Sequence, residues 1–206
     1  MKVIKAKAEI LFPVDGQEML RRIEQIGRVC YKSEDNITDD SAETFVKGLI
    51  KRGHESVIEH CLFTARFICD RGVTHEIVRH RVASYSQEST RYCNYSQGKF
   101  DGEITVIEPL YLEEHTKAYS MWEESCMEAE EKYFALLEWG CTPQEARAVL
   151  PNSLKTELIM TANLREWRHF FRLRTAPAAH PQMREVAKML LKEANEQIPI
   201  IFDDIE

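Results

Sequence analysis

The chain has 206 residues, with 27 Lys and Arg against 34 Asp and Glu and a formal net charge of −7. That balance argues against a generic polyanion-binding surface, so nucleic acid is not an expected partner. With 44% hydrophobic and 30% charged residues the composition is that of a globular protein with a real core. No apolar run approaches the ~20 residues that span a bilayer, so no membrane partner is expected.

The six cysteines, at 30, 61, 69, 93, 126 and 141, include no C-x-x-C pair and lie mostly in apolar segments, as reduced, buried thiols would. Residues 1–7 alternate charged and apolar instead of building a signal-peptide core, which makes the cytoplasm the expected location.

In chain order, residues 2–11 alternate as a half-buried strand, with Ile4, Ala6, Ala8 and Ile10 on one face. Leu20, Ile23, Ile26 or Gly27, and Cys30 recur at helical spacing; so do Ala42, Phe45, Val46, Leu49 and Ile50, a helix that Gly53 closes. Residues 61–69 read as a strand running out at Asp70-Arg71-Gly72, and a short helix is expected over 74–80. On such a helix Arg79 and Arg81 would point about 200° apart, at ~100° per residue, and serve different partners.

Residues 104–107 form a strand candidate. Tyr119, Trp122, Cys126, Ala129, Tyr133 and Leu136 mark the clearest long helix, with an acidic solvated face that includes Glu123, Glu124 and Glu131. Thr142-Pro143 starts the next helix and Pro151 stops it. Residues 158–162 fit strand and helix equally. Residues 164–173 look helical, with Trp167, Phe170 and Phe171 inward and Arg165, Arg168, Arg172 and Arg174 around the sides. Met183, Val186, Ala187, Leu190, Leu191, Ala194 and Ile198 form the last amphipathic helix, and residues 199–206 a short tail. The fold class is α+β: one domain over 1–206, a small mixed or antiparallel sheet packed by long helices.

Chemistry concentrates in residues 79–92, where Arg79, Arg81 and Arg91 stand among His80, Ser84, Ser86, Ser89, Tyr85 and Tyr92. Guanidinium forks and adjustable hydroxyl donors make a socket for an anion. A scaffold of surface pairs with Glu76 and Glu88, each worth ~0–1 kcal/mol, is the competing reading. His75 and His80 nearly imitate a zinc-protease motif, but five helical residues rotate ~500°, so the rings diverge and no metal is expected. Gly-x-Gly-x-x-Gly, phosphate-loop and Gly-x-Ser-x-Gly patterns are missing. On residue types alone His54 and Ser56 fit a turn, and Arg147 and Arg174 fit helix ends. A noncatalytic nucleotide or phosphometabolite-binding protein would use the same arginines.

Arg79-His80-Arg81, seven intervening residues, then Ser89-Thr90-Arg91-Tyr92 resembles the signature of the flavin-dependent thymidylate synthases. Gly53-His54-Glu55-Ser56, Glu59-His60, Ala146-Arg147, Val149-Leu150-Pro151, Asn163-Leu164-Arg165, His169, Arg174 and His180 match in register. The resemblance implies methylation of dUMP to dTMP, with methylenetetrahydrofolate giving the carbon, reduced FAD the hydride, and NADPH re-reducing the flavin. It implies catalytic roles for Arg174, against the uracil, and Ser89. It assigns Glu76, Arg79, Gln87, Glu88, Ser89, Thr90, Arg91, Arg147 and Arg174 to dUMP, and His54, Ser56, Arg79, His80, Arg81, Asn163, Arg165 and His169 to FAD. It implies a homotetramer with sites shared between subunits, Arg147 reaching the nucleotide from another chain. Two positions depart from the pattern: Gln87 stands where Glu is frequent, and Glu76 where Gln is common. Cys93, with Arg91 two residues away, is the thiol weighed and set aside as nucleophile.

Overall fold

Residues 1–205 are described by the computed structural model. They form six strands, β1 (Lys2–Ile4), β2 (Lys7–Ile10), β3 (Leu62–Asp70), β4 (Ala83–Gln87), β5 (Thr105–Ile107) and β6 (Lys155–Asn163). Seven α-helices accompany them: α1 (Gly16–Val29), α2 (Ser41–Lys51), α3 (Arg71–Ile77), α4 (Lys117–Glu138), α5 (Pro143–Ala146), α6 (Leu164–Arg174) and α7 (Pro181–Gln197). The chain divides into two compact units, one of Met1–Lys7, Phe67–Arg79 and Ser86–Leu158, the other of Ala8–Arg66, His80–Tyr85 and everything from Ile159 on.

The expected single sheet is two. β1 pairs in parallel with β5, Lys2 opposite Thr105 and Ile4 opposite Ile107, while the second sheet has the order β2-β3-β6-β4. The expected strand over 2–11 is therefore broken into two that pair in different sheets. Residues 158–162, ambiguous by periodicity, belong to β6, where exposure alternates strictly along nine residues. That alternation is a strand's period of two.

In the first unit, α4 lays Cys126 and Tyr133 against Tyr95, Ile104, Val106, Ala146 and Leu154. The indole of Trp122 donates to Ser153 Oγ at 2.9 Å. α5 is a single turn, capped by the reciprocal Thr142–Glu145 box, and continues only as a 3-10 turn, Arg147–Val149. Pro151 disfavours helical backbone at Leu150, which ends the run there. α3 begins and ends three residues earlier than expected. Asp70 Oδ1 accepts from Val73 N at 2.7 Å and so caps its start. Arg79 and Arg81 consequently lie beyond the helix, and the 200° divergence expected of them does not apply.

In the second unit, Asp15 caps α1 by accepting from Glu18 N at 2.8 Å. Gly16 is required by a close backbone approach, since a Cβ there would sit 2.1 Å from Gln197 O. Glu24, 1% exposed, accepts from Arg28 Nε at 2.8 Å and from Ser41 Oγ at 2.7 Å, which ties α1 to the start of α2. Gly53 follows α2 at φ +70°, the left-handed conformation that glycine adopts without cost. The aromatic centre is Phe63 stacked on Trp167 at 4.5 Å, with Phe202 edge-on to both Phe63 and Phe171. Phe202 belongs to the segment expected to be a tail. Ile201 and Phe202 are instead fully buried. No helix among the described residues is long and apolar enough to cross a membrane.

Candidate functional site

α6 begins because β6 ends in Asn163, whose Oδ1 accepts from Glu166 N at 2.9 Å and satisfies one of the helix's orphan donors. Its apolar stripe, Leu164, Trp167, Phe170 and Phe171, is buried. Arg165, His169 and Arg172 then fall four and three residues apart on the opposite face, within about 60° of one another. That face borders a cleft of about 480 Å³ lined by Asn163, Arg165, Glu166, His169 and Arg172 with Glu55, Glu59 and Val82. The carboxylates are neutralised in place. Arg165 donates to Glu59 at 2.6 Å, while Glu55 accepts from Arg168 at 3.0 Å and Arg172 at 3.3 Å.

His80 is 3% exposed and its ring meets polar partners at both nitrogens. Nδ1 lies 2.9 Å from Glu166 Oε1, and Nε2 accepts from Arg174 Nε at 3.1 Å. Burial lowers its pKa, Glu166 pulls upward and Arg174 pushes down, with a net lowering; the ring is neutral at neutral pH. Tyr85 Oη donates to the His80 carbonyl. Burial pushes the Tyr85 phenol up to about 12, so that donor is permanent. Both ring nitrogens of His80, a residue expected to meet the flavin, are thus engaged within the chain. His54, Ser56, Arg79 and Arg81 are exposed, with His54 N donating to Leu49 O at 3.0 Å.

The nucleotide-assigned segment is built differently. Gln87 Nε2 donates to the buried hydroxyls of Thr74 at 3.1 Å and Thr156 at 3.3 Å, a role for an amide that explains Gln at this position. Glu88 accepts from Lys155 Nζ at 2.9 Å and from Tyr95 Oη at 3.4 Å, so its charge is matched by a lysine and not by the neighbouring arginines. Burial alone would lower the Lys155 pKa, but Glu157 and Glu88 overcome it and raise it. Ser89 Oγ accepts from Arg91 N at 3.3 Å, and the guanidinium of Arg91 lies over Tyr92 at 5.3 Å. Arg147 Nη1 donates to Thr90 Oγ1 at 3.3 Å within the same chain. Glu76 is half-buried. Of the flavin-assigned residues all but Arg79 fall in the second unit, and of the nucleotide-assigned residues all but Arg174 fall in the first.

Two residues that shape these sites, Glu166 and Lys155, carry no signal in the site motifs of the sequence. Asn163 followed three residues later by Glu166 is a capping pattern readable in sequence. The partnerships of Glu166 with His80 and Lys155 with Glu88, 86 and 67 residues apart, leave no local trace. His80, Glu166 and His169 also bring potential metal-ligand atoms within 4.8 Å of one another. The arrangement is hostile to a cation, because the nitrogen facing Glu166 carries the proton and a permanent guanidinium occupies the other side of the ring.

Residues 14–200 match the family model described as thymidylate synthase complementing protein. The flavin-dependent thymidylate synthase of Pyrococcus abyssi is 34% identical over 163 residues, which cover 79% of this chain and 66% of that protein. The chain thus spans a little under two thirds of that relative. The enzyme of the same name from Corynebacterium aurimucosum is 35% identical over 194 residues, covering 88% of this chain and 78% of the relative. In fold, the chain is similar to a UMP/dUMP methylase, PolB of Streptomyces cacaoi, solved bound with 5-Br dUMP: TM-score 0.81 at 23% identity over 100% of this chain and 98% of the other. A match running from residue 14 to residue 200, through the arginine-rich segment, β6 and α6, makes this chain a member of the flavin-dependent thymidylate synthase family.

Proposed function

We propose that the chain methylates dUMP to dTMP, taking the carbon from methylenetetrahydrofolate and the hydride from reduced FAD, with NADPH restoring the flavin. The observation that carries the reading is the make-up of α6 and its cap: Asn163 at the end of β6 and Arg165 and His169 on one face of the helix border a single cleft, and the helix's last residue is the buried Arg174.

The donor set suits a flavin dinucleotide. The cleft's volume is within the range of small-molecule sites, Arg165 offers a guanidinium able to exchange Glu59 for a diphosphate, and the exposed ring of His169 and the side-chain amide of Asn163 offer a planar face and N–H groups. Ser56, His54, Arg79, His80 and Arg81 complete the proposed flavin set. Bound there, reduced flavin would supply the hydride that turns a one-carbon unit on the pyrimidine into a methyl group.

The chain's own task is to make C5 of the uracil nucleophilic. Arg174 is always charged and only 9% exposed, so its field is weakly screened. Against N3 and the adjacent carbonyl oxygen it favours the ionised ring, which raises electron density at C5 without an enzyme thiolate. Ser89 orients the ring. Arg91, Arg147 and Thr90 hold the phosphate and sugar, with Glu76, Arg79, Gln87 and Glu88 shaping the pocket. The functional assembly is a homotetramer with sites shared between subunits, working in the cytoplasm.

An absorbance scan of purified protein tests cofactor, reductant and substrates together. Flavin bands bleached by NADPH and restored by folate plus dUMP, with tritium released from C5 of labelled dUMP, are the expected result. Colourless protein that refuses FAD refutes the proposal. Binding of dUMP with no tritium release would instead favour a noncatalytic nucleotide-binding role.

A further inference from the structure

We infer that Glu166 is the positioning residue that aims Arg174, acting through the imidazole of His80 as a fixed spacer. The inference rests on the proposed contact between Arg174 and the uracil, and it concerns a carboxylate that the sequence resemblance leaves without a role.

The tautomer follows from the partners. Arg174 Nε carries a hydrogen and cannot accept, so His80 Nε2, 3.1 Å away, must present its lone pair. The proton of the neutral ring is then on Nδ1, where Glu166 Oε1 waits at 2.9 Å. An ionised carboxylate accepts only, and demands the same state. Both ends of the ring therefore select one tautomer, the Nδ1–H form. The imidazolium, or the Nε2–H form, would set N–H against N–H at Arg174.

The spacer is immobile. Tyr85 Oη holds its backbone carbonyl, and the ring packs edge-on to Phe170 at 5.0 Å and tilted on His169 at 5.3 Å. The side chains of His80 and Glu166 are 2% and 12% exposed. Glu166 is itself anchored at the first turn of α6, its amide capped by Asn163, while Arg174 ends the same helix. The helix thus carries both the carboxylate that sets the proton and the guanidinium that responds to it.

Without the carboxylate only Arg174 still selects the Nδ1–H form, the Nε2–H form gains, and wherever it is populated the guanidinium turns away. A displacement of about 1 Å at a positioning group costs up to about a hundredfold in rate. The test uses the flavin-loaded enzyme and three variants: Glu166→Leu, Glu166→Gln, and Glu166→Leu combined with Arg174→Ala. Ring ¹⁵N spectra of labelled histidine, with the His80 signal assigned by its loss in His80→Gln, are expected to show Nδ1–H in the parent and in Glu166→Gln, which keeps an acceptor oxygen, and a shift toward Nε2–H in Glu166→Leu. The kcat is expected to fall about ten- to a hundredfold in Glu166→Leu, to recover largely in Glu166→Gln, and to fall no further in the double variant than in Arg174→Ala alone. An unchanged tautomer in Glu166→Leu, or losses that add in the double variant, overturns the inference. A parent enzyme without tritium release sinks the reading of Arg174 separately, and the tautomer spectrum then decides the coupling by itself.

Discussion

Arg168→Met is the sharpest test of how the second unit is held together. Arg168 is 0% exposed, and its guanidinium donates to Glu55 at 3.0 Å, to Asp204 at 2.7 and 2.8 Å, and to the carbonyl of Ile201. Methionine fills similar volume without the charge, so the change isolates the ion pairs. Removing one partner of a buried pair costs about 3–5 kcal/mol. Here Asp204 is 48% exposed and Arg172 stays within 3.3 Å of Glu55 and 3.1 Å of Asp204, which reduces that cost to about 2 kcal/mol. Stripping the buried Ile201 carbonyl of its donor adds about 1 kcal/mol. The expected total of about 3 kcal/mol lowers Tm by roughly 6–12 °C in a chain of this size, read by circular dichroism melts alongside urea unfolding with unchanged m. A variant as stable as its parent would show that desolvating the guanidinium cancels its attractions, and the anchoring of the C-terminal segment would have to be assigned to its buried apolar side chains, Ile201 and Phe202 first.

The hydrogen bond from Arg168 holds the Asp204 carboxyl at about 2, below its ordinary 3.8. A lowered folded-state value means stability present above the unfolded pKa and lost as pH falls through the folded one; discounted for exposure, it is worth roughly 1 kcal/mol between about pH 4 and 2. Asp204→Asn should remove that slope from the acid end of a stability profile, and an unaltered slope would refute it. Gly16→Ala should destabilise by about 1–3 kcal/mol in a thermal melt, because the new methyl collides with the Gln197 carbonyl and overpacking outweighs the better helix propensity. Arg174→Ala should lose C5 tritium release while keeping its flavin absorbance; loss of flavin with dUMP binding intact would reverse the role proposed for it. Cys93→Ser should keep methylation, and its complete loss would reinstate a thiolate nucleophile.

Elements with strong local signals were legible. The stepping of Tyr119 through Leu136 is α4, Thr142-Pro143 starts α5, and Gly53 follows α2. Where distant partners decide, the local pattern is silent. Residues 2–11 keep one alternation, yet only the pairing of β1 with β5 shows that the strand must break. β4 escaped notice because Ala83, Tyr85 and Gln87 alternate too weakly in polarity against Ser84 and Ser86 to stand out as a strand. The final residues read as a tail because eight residues with three acids carry too little pattern; Phe202 becomes core only when Phe63 and Phe171 are there to receive it.

The four arginines of α6 show where sequence reading must stop. Periodicity separates Arg165 and Arg172 from the buried stripe, since they recur seven residues apart on the cleft face. It cannot separate Arg168 from Arg174, both placed at the sides and both buried in the structure. Arg168 faces two carboxylates and a carbonyl, which saturate it and make it an internal clamp. Arg174 faces, at Nε, a neutral imidazole, a partner that orients a guanidinium without neutralising it. The difference lies in His80 and Glu166, and therefore in contacts spanning 94 and 86 residues.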